Sequence, residues 1–294
     1  MKTINNFCLF TVDVEEWWSV HSFEKYANAR NINRANFDDR MAIGIEKLLI
    51  LLKEYQIPAI FFVLGRVAEA YPELITNILN AGHEIGTHGY EHKLVYNQTP
   101  EEFEEDLVKS ITTIQDITGK KIDKYRAPSY SITLKSLWAL PLLEKTGIKY
   151  DFSLFPLKNN RFGVSSAPRE PYQINLNESG GKYLIEIPPN IIDLKLIKLP
   201  INSGFGFRFF PLFMIKKNLR YLLKKGTLPN LIIHNWELDP YHPRLKAGFT
   251  AEMIHYYNIS KTENKLIELF KAFNFYSLEE MSNPVKVIYY SEII

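Results

Sequence analysis

The stretch "FCLFTVDVEEWWSV", residues 7–20, opens as an apolar run of strand length and closes in a cluster of acids and tryptophans. Its first half reads as a buried strand, with too little alternation for a sheet that has one face in water. The second half places Asp13, Glu15 and Glu16 where that strand should be finishing. Three carboxylates so close together repel one another, and each is costly to desolvate unless it is paired, hydrogen-bonded or bound to a cation. A buried strand that ends in acids is the pattern of α/β folds, whose chemistry gathers at the C-terminal ends of parallel strands.

Working outward, strand-like and helix-like runs alternate. "RMAIGIEKLLILLKEYQ" has apolar residues at helical spacing, and "PAIFFVLG" is the next strand. "RVAEAYPELITNILNAG" reads as one helix closed at Gly82, before the short strand "HEIGTHG". "TPEEFEEDLVKSITTIQDITG" carries Thr99 as N-cap, Pro100 in the first turn and acids behind it. After an irregular stretch around 154–211, the pattern returns with helix "FMIKKNLRYLLKKG", strand "PNLIIHNWELDP", helix "SKTENKLIELFKAF" and a last strand near "FNFYSL". Repeated βα units imply parallel strands with right-handed crossovers, hence a barrel or a doubly wound sheet. No internal repeat or linker divides the chain, so residues 1–294 are expected to form one domain, with 230–294 as its C-terminal βα segment.

Composition narrows the function. A net charge of +2 argues against a dedicated nucleic-acid binder, and the basic runs at 191–200 and 214–226 are local. Cys8 is the single cysteine, which excludes an intrachain disulfide. The N-terminus lacks the pattern of a signal peptide, and no segment has the roughly 18 apolar residues of a transmembrane helix, so a cytoplasmic location is expected. "SGFGFRFFPLFMIKKNLRYLLKKG" is aromatic and basic enough for peripheral contact with a membrane, although a packed loop and helix is the plainer reading.

Asp13, His88, Arg126, Asp151 and His234 each fall at or just past the end of an expected strand. "HGYEH" sets His88 and His92 four apart, a spacing that lets two imidazoles converge on one metal. The pair is weak evidence alone. With a carboxylate from the acid-rich first strand it becomes the donor set of a hydrolytic metal site.

These motifs resemble the polysaccharide deacetylases with a NodB-type domain, carbohydrate esterase family four, in the branch of exopolysaccharide clusters whose first motif reads DVED or DVEE. The resemblance runs through "TVDVEEWW", "AGHEIGTHGYEH", "YRAPSYS", "YDFSLFP" and "IIHNWELDPYHPR". It implies a distorted (β/α) barrel of about seven parallel strands. It also implies a divalent metal, zinc first with cobalt or nickel as alternatives, and removal of N-acetyl groups from an amino sugar of a bacterial surface polysaccharide or its precursor.

By this resemblance Asp13 is the general base, Arg126 holds it, and His88 and His92 bind the metal. His234 is the general acid, Asp151 orients His234, and the Ser129 N–H serves the oxyanion. Where the family has its metal-binding aspartate this chain has Val14, and Glu15, two residues from Asp13 on an extended strand, is the expected replacement, ahead of Glu16. Ser129 stands where a tyrosine is usual, with Tyr130 one place later, and Asn235 stands where the branch has proline. Tyr130, Trp17, Trp18 and Trp236 are candidate sugar contacts, weighed evenly for the tryptophans against core packing. His83, His242 and Arg244 read as turn or loop residues, and His21 and His255 have no motif around them. Two other functions stay open: a cytoplasmic amidohydrolase acting on a small cyclic amide or ureide, and a non-catalytic carbohydrate-binding protein.

Overall fold

The computed structural model describes residues 7–23, 40–157, 162–177, 181–193, 198–280 and 286–293. Its strands are β1 (Phe7–Val14), β2 (Ile60–Val63), β3 (Glu84–Thr87), β4 (Lys124–Tyr125), β5 (Tyr150–Asp151), β6 (Tyr172–Asn175), β7 (Tyr183–Glu186), β8 (Ile192–Asp193), β9 (Lys198–Leu199), β10 (Asn230–His234), β11 (Asn274–Phe275) and β12 (Lys286–Tyr289). The main sheet runs in the order β10-β1-β2-β3-β4-β5-β7-β6-β12, with β11 beside the start of β1. From β10 to β7 every neighbouring pair is parallel, which gives the seven parallel strands expected. Strand β6 returns antiparallel to β7 and carries β12 at the edge. Part of the basic run at 191–200, residues 194–197, lies outside the described residues.

All eight residues of β1 are buried, because its two faces enter different apolar layers. Cys8, Phe10, Val12 and Val14 pack into the larger core, while Phe7 and Leu9 face a second cluster with Phe62 and Phe152. Helices cover the sheet: α1 (Met41–Tyr55), α2 (Gly65–Ala70), α3 (Pro72–Asn80), α4 (Pro100–Thr118), α5 (Ala139–Lys145), α6 (Gly204–Phe209), α7 (Leu212–Lys224), α8 (Phe249–Tyr256) and α9 (Thr262–Phe270). The expected single helix over 66–82 is two, because the chain breaks at Tyr71 and restarts with Pro72 in the first turn of α3. Helix α4 begins as its sequence predicts. Thr99 accepts from the Glu102 N–H and Glu102 accepts from the Thr99 N–H, a capping box that contributes about 1 kcal/mol. None of the described helices is long and apolar enough to cross a membrane.

Register brings the chemistry together. On β1, Asp13 lies opposite His234 of β10 and Phe62 of β2. Helix α1 lies against the turn after β10 so closely that a Cβ on Gly44 would stand 2.0 Å from the Asn235 carbonyl oxygen. This contact fixes the segment that follows His234.

Candidate active site

Arg126, just past β4, is 1% exposed yet carries a full charge into the interior. Its Nη1 donates to Asp13 Oδ1 at 2.6 Å and its Nη2 to Thr11 Oγ1 at 2.8 Å. Its guanidinium also lies 4.2 Å from the centre of the Phe62 ring. A buried cation needs such partners, and the price of desolvating both ions is offset by hydrogen bonds of fixed geometry. Asp13 is thereby held by one oxygen, while its Oδ2 faces His234 Nε2 across 3.9 Å.

The second group is Glu15, His88 and His92, whose ligand atoms all lie within 4.8 Å of one another. His88 Nδ1 meets the Arg126 carbonyl at 2.8 Å, so that nitrogen carries the proton and Nε2 keeps its lone pair for the cleft. Burial is the largest influence on this imidazole and lowers its pKa to about 4, which leaves it neutral near pH 7. Glu15 is buried, which opposes ionisation, but His92, His234 and His88 outweigh burial and hold its carboxyl well below the usual range. Its Oε2 lies 2.8 Å from His92 Nε2, and its Oε1 accepts from Trp236 Nε1–H at 3.2 Å. Two imidazoles, one ionised carboxylate and outer hydrogen bonds on His88 and Glu15 are a donor set suited to a divalent cation such as zinc.

The loop that carries His92 is fixed by α4. Asp106 accepts from the N–H groups of Tyr90 and Glu91, and Ser110 Oγ donates to the Gly89 carbonyl. His92 itself takes a left-handed backbone, φ 61°. That conformation is uncommon outside glycine, and here it is enforced by these contacts.

His234 ends β10. Its Nδ1 contacts Glu237 Oε1 at 2.6 Å, and the other Glu237 oxygen accepts from Arg208 Nε at 2.8 Å. Burial acts to lower the His234 pKa, but the hydrogen bond that its Nδ1–H donates to Glu237 and the charges of Glu15, Glu237 and Asp13 prevail, raising it to about 9. The imidazolium therefore presents a proton at Nε2, 3.7 Å from Glu15 Oε1. Gly204, at the start of α6, sits against this ring at φ 44°, and a Cβ there would approach His234 Cε1 to 3.2 Å.

The expectation that Asp151 orients His234 is corrected by this geometry. Asp151 accepts a very short hydrogen bond from Ser153 Oγ and is paired with Glu186, opposite it on β7. Ser153 Oγ in turn accepts from the Ala127 N–H at 2.8 Å, which ties this buried pair to the loop over Ala127–Tyr130. In that loop Ser129 and Tyr130 both have positive φ, 51° and 54°. Its backbone hydrogen bonds run from the Tyr130 and Ser131 N–H groups, and the Ser129 N–H takes part in neither.

A cleft of about 470 Å³ joins Asp13, Glu15, His88, His92, His234 and the Ser129–Tyr130 turn. Trp236 lines it, stacked between His234 and His255. Trp17 and Trp18 are not among the residues that line it, which for them decides against sugar contact and for packing. Trp17 packs in a core cluster with Phe23 and Trp236, and the Trp18 ring lies beneath Arg66. Glu16 faces Arg66, with Nη2 to Oε2 at 2.7 Å, and so stays outside the histidine pair.

Sequence reasoning missed three residues. Glu237 could have been found, since His234 and Glu237 stand three apart in "HNWE", the spacing at which the glutamate returns to cap the turn. Arg208 and His255 carry no such sign, because they reach the cleft through the packing of α6 and α8. His242 is buried, with Nε2 3.0 Å from His255 Nε2.

Two parts of the chain match known families. Residues 31–150 match the polysaccharide deacetylase family, and residues 152–283 match a domain of unknown function, DUF3473. Among curated relatives, a peptidoglycan deacetylase of Helicobacter pylori is 35% identical over 168 residues, 54% of this chain and 53% of that protein. A peptidoglycan-N-acetylglucosamine deacetylase of Bacillus cereus is 30% identical over 131 residues, 42% of this chain and 47% of that protein. The chain thus spans about half the length of these relatives. A putative polysaccharide deacetylase from Mycobacterium smegmatis shares the fold, with a TM-score of 0.61 and 22% identity over 92% of this chain and 87% of that one. The Puue allantoinase shares it as well, with a TM-score of 0.59 and 15% identity over 92% of this chain and 86% of that one. The two matched stretches meet in one sheet, since Tyr150 of β5 pairs with Ile185 of β7, and β1, which precedes both, lies between β2 of the first and β10 of the second. Over residues 31–150 the chain is thus similar to the polysaccharide deacetylase family, and over residues 152–283 to DUF3473.

Proposed function

We propose that the protein is a zinc-dependent hydrolase that removes N-acetyl groups from an amino sugar of a bacterial surface polysaccharide or its precursor. One observation carries the reading: Glu15, His88 and His92 face Asp13 and His234 across a single cleft. The curated relatives named for peptidoglycan deacetylation support the amino-sugar substrate.

Amide hydrolysis needs a base to take a proton from water, a cation or donor for the developing oxyanion, and an acid for the leaving nitrogen. Glu15, His88 and His92 would hold a divalent cation, which would supply Lewis acidity at this end of the cleft. Asp13 Oδ2 accepts the proton from water as oxygen adds to the acyl carbon. Arg126 keeps the other oxygen occupied, so the carboxylate cannot rotate away. The Ser129 N–H, outside the hydrogen bonds of its own turn, supports the oxyanion. As the C–N bond breaks, His234 Nε2 gives its proton to the amine, and acetate and the free amino sugar leave. Glu237 keeps Nδ1 protonated and the ring aligned. Tyr130, whose buried hydroxyl has no hydrogen-bond partner among the described residues, is a ready contact for a sugar hydroxyl.

The test is acetate release from N-acetylglucosamine oligomers by zinc-loaded protein, run beside a panel of cyclic amides and ureides. Chelation and His88→Ala should each abolish release. Release that survives both overturns the metal mechanism, and turnover of the cyclic amides alone overturns the substrate class.

A further inference from the structure

The wall of the cleft beyond the polar site is aromatic and aliphatic, and it continues onto the surface. Phe205 and Ile254 line the cleft, and Phe205 packs against Phe209, with ring centres 5.3 Å apart. Phe209 is 48% exposed and leans on Tyr257, also exposed, at 5.8 Å.

Helix α8 is reversed relative to an ordinary surface helix, which turns its apolar stripe inward. Phe249 is 83% exposed and Met253 and Ile254 are exposed as well, while the helix's buried residue is His255. Past Pro211 the chain enters α7, whose exposed positions are Phe213, Lys217, Arg220, Tyr221 and Lys224. Their spacing places them on one face, and no residue of α7 is acidic. The nearby acids are engaged: Glu268 with Lys216, and Glu252 with the Gly248 N–H.

We propose that this surface of α6, α7 and α8 docks on an anionic lipid bilayer. Exposed rings and aliphatic chains beside lysine and arginine are what an interfacial element offers, the first entering the headgroup boundary and the second meeting anionic lipid. A second copy of the chain fits less well, since a two-fold contact would set one positive α7 face against the other. Because Phe205 and Ile254 belong both to this surface and to the cleft, docking turns the cleft mouth toward the bilayer. Under the function proposed above, the amino sugar reaching it is then one carried on a lipid. The docking does not depend on that function.

The full chain is sedimented with vesicles of phosphatidylcholine alone and of phosphatidylcholine mixed with phosphatidylglycerol. It should bind the mixed vesicles at least about tenfold more tightly, given roughly a fivefold gain for each basic residue at the surface. A Lys217→Glu/Arg220→Glu variant and a Phe209→Ser/Phe213→Ser variant, each with unchanged circular dichroism, should both lose about tenfold or more. Wild-type protein left in the supernatant with both vesicles overturns the proposal, as do variants that bind like wild type. Self-association by sedimentation velocity that both variants abolish, without vesicle binding, assigns the face to a second copy and also overturns it. Vesicle binding with no acetate release leaves the docking standing and removes the proposed function.

Discussion

Glu237 holds the Nδ1 side of His234 at 2.6 Å and is itself held by Arg208 at 2.8 Å, so the acid and its support lie on three residues of one buried chain. Glu237→Gln should cut kcat by about 10² to 10⁴, the usual range for losing a proton-transfer group. It should also lower stability by about 3 kcal/mol, because the Arg208 charge stays buried without its partner. Asp151→Asn should leave the His234 ring in place and lower kcat far less. Steady-state kinetics and urea unfolding of both variants check the assignment, and equal kcat losses would refute it.

In the proposed mechanism Glu15 takes the ligand position that the resemblance gives to an aspartate where this chain has Val14. Val14 is fully buried among core side chains, whereas Glu15 reaches the histidines. Val14→Asp should therefore add no ligand and should destabilise the protein by about 3 kcal/mol through an unpaired carboxyl in the core. Glu15→Gln should lose zinc binding, measured by calorimetry, while Glu16→Gln keeps it.

Trp236 donates to Glu15 Oε1 while stacking on His255, with ring centres 4.2 Å apart. Trp236→Phe keeps a stacking ring and removes the indole N–H. Zinc affinity should fall about tenfold, the lower end for loss of a hydrogen bond to a ligand, with little change in melting temperature. Competition with a chromogenic chelator measures it.

Burial raises the Asp151 carboxyl to about 6, and burial together with the neighbouring Asp151 pushes Glu186 upward. Carboxyls raised in the folded state favour folding most at pH below their unfolded values. Their contribution fades as pH rises through about 4 and on past about 6. Glu186→Gln removes one of the two charges, so the fall in urea midpoint across that window should flatten. A wild-type slope retained in the variant would count against the pair.

Much of the fold was legible because local signals and burial agreed. The apolar run of β1, the Thr99 cap and the strand-end polar residues each carry a one-dimensional signature. The site was legible where a motif lies within a few residues, as with His88 and His92, or where a carboxylate has no other reason to end a strand, as with Asp13 and Glu15. Long-range choices were not. Asp151 and Glu237 are both acids near strand ends, and what separates them is register: Asp151 faces Glu186 on β7, while Glu237 follows His234 within one turn. The tryptophans divided the same way. Trp17 is drawn into a cluster with Phe23, and Trp236 sits where the turn after β10 folds back over the cleft.

Arg126 contributes its guanidinium to Asp13 and its carbonyl to His88. Its side chain and main chain thereby serve the two halves of the reaction centre, so distance and angle between base and ligand are set by the internal geometry of a single amino acid. A substitution at Arg126 therefore disturbs the base through its side chain, while the histidine keeps the main-chain carbonyl that orients it.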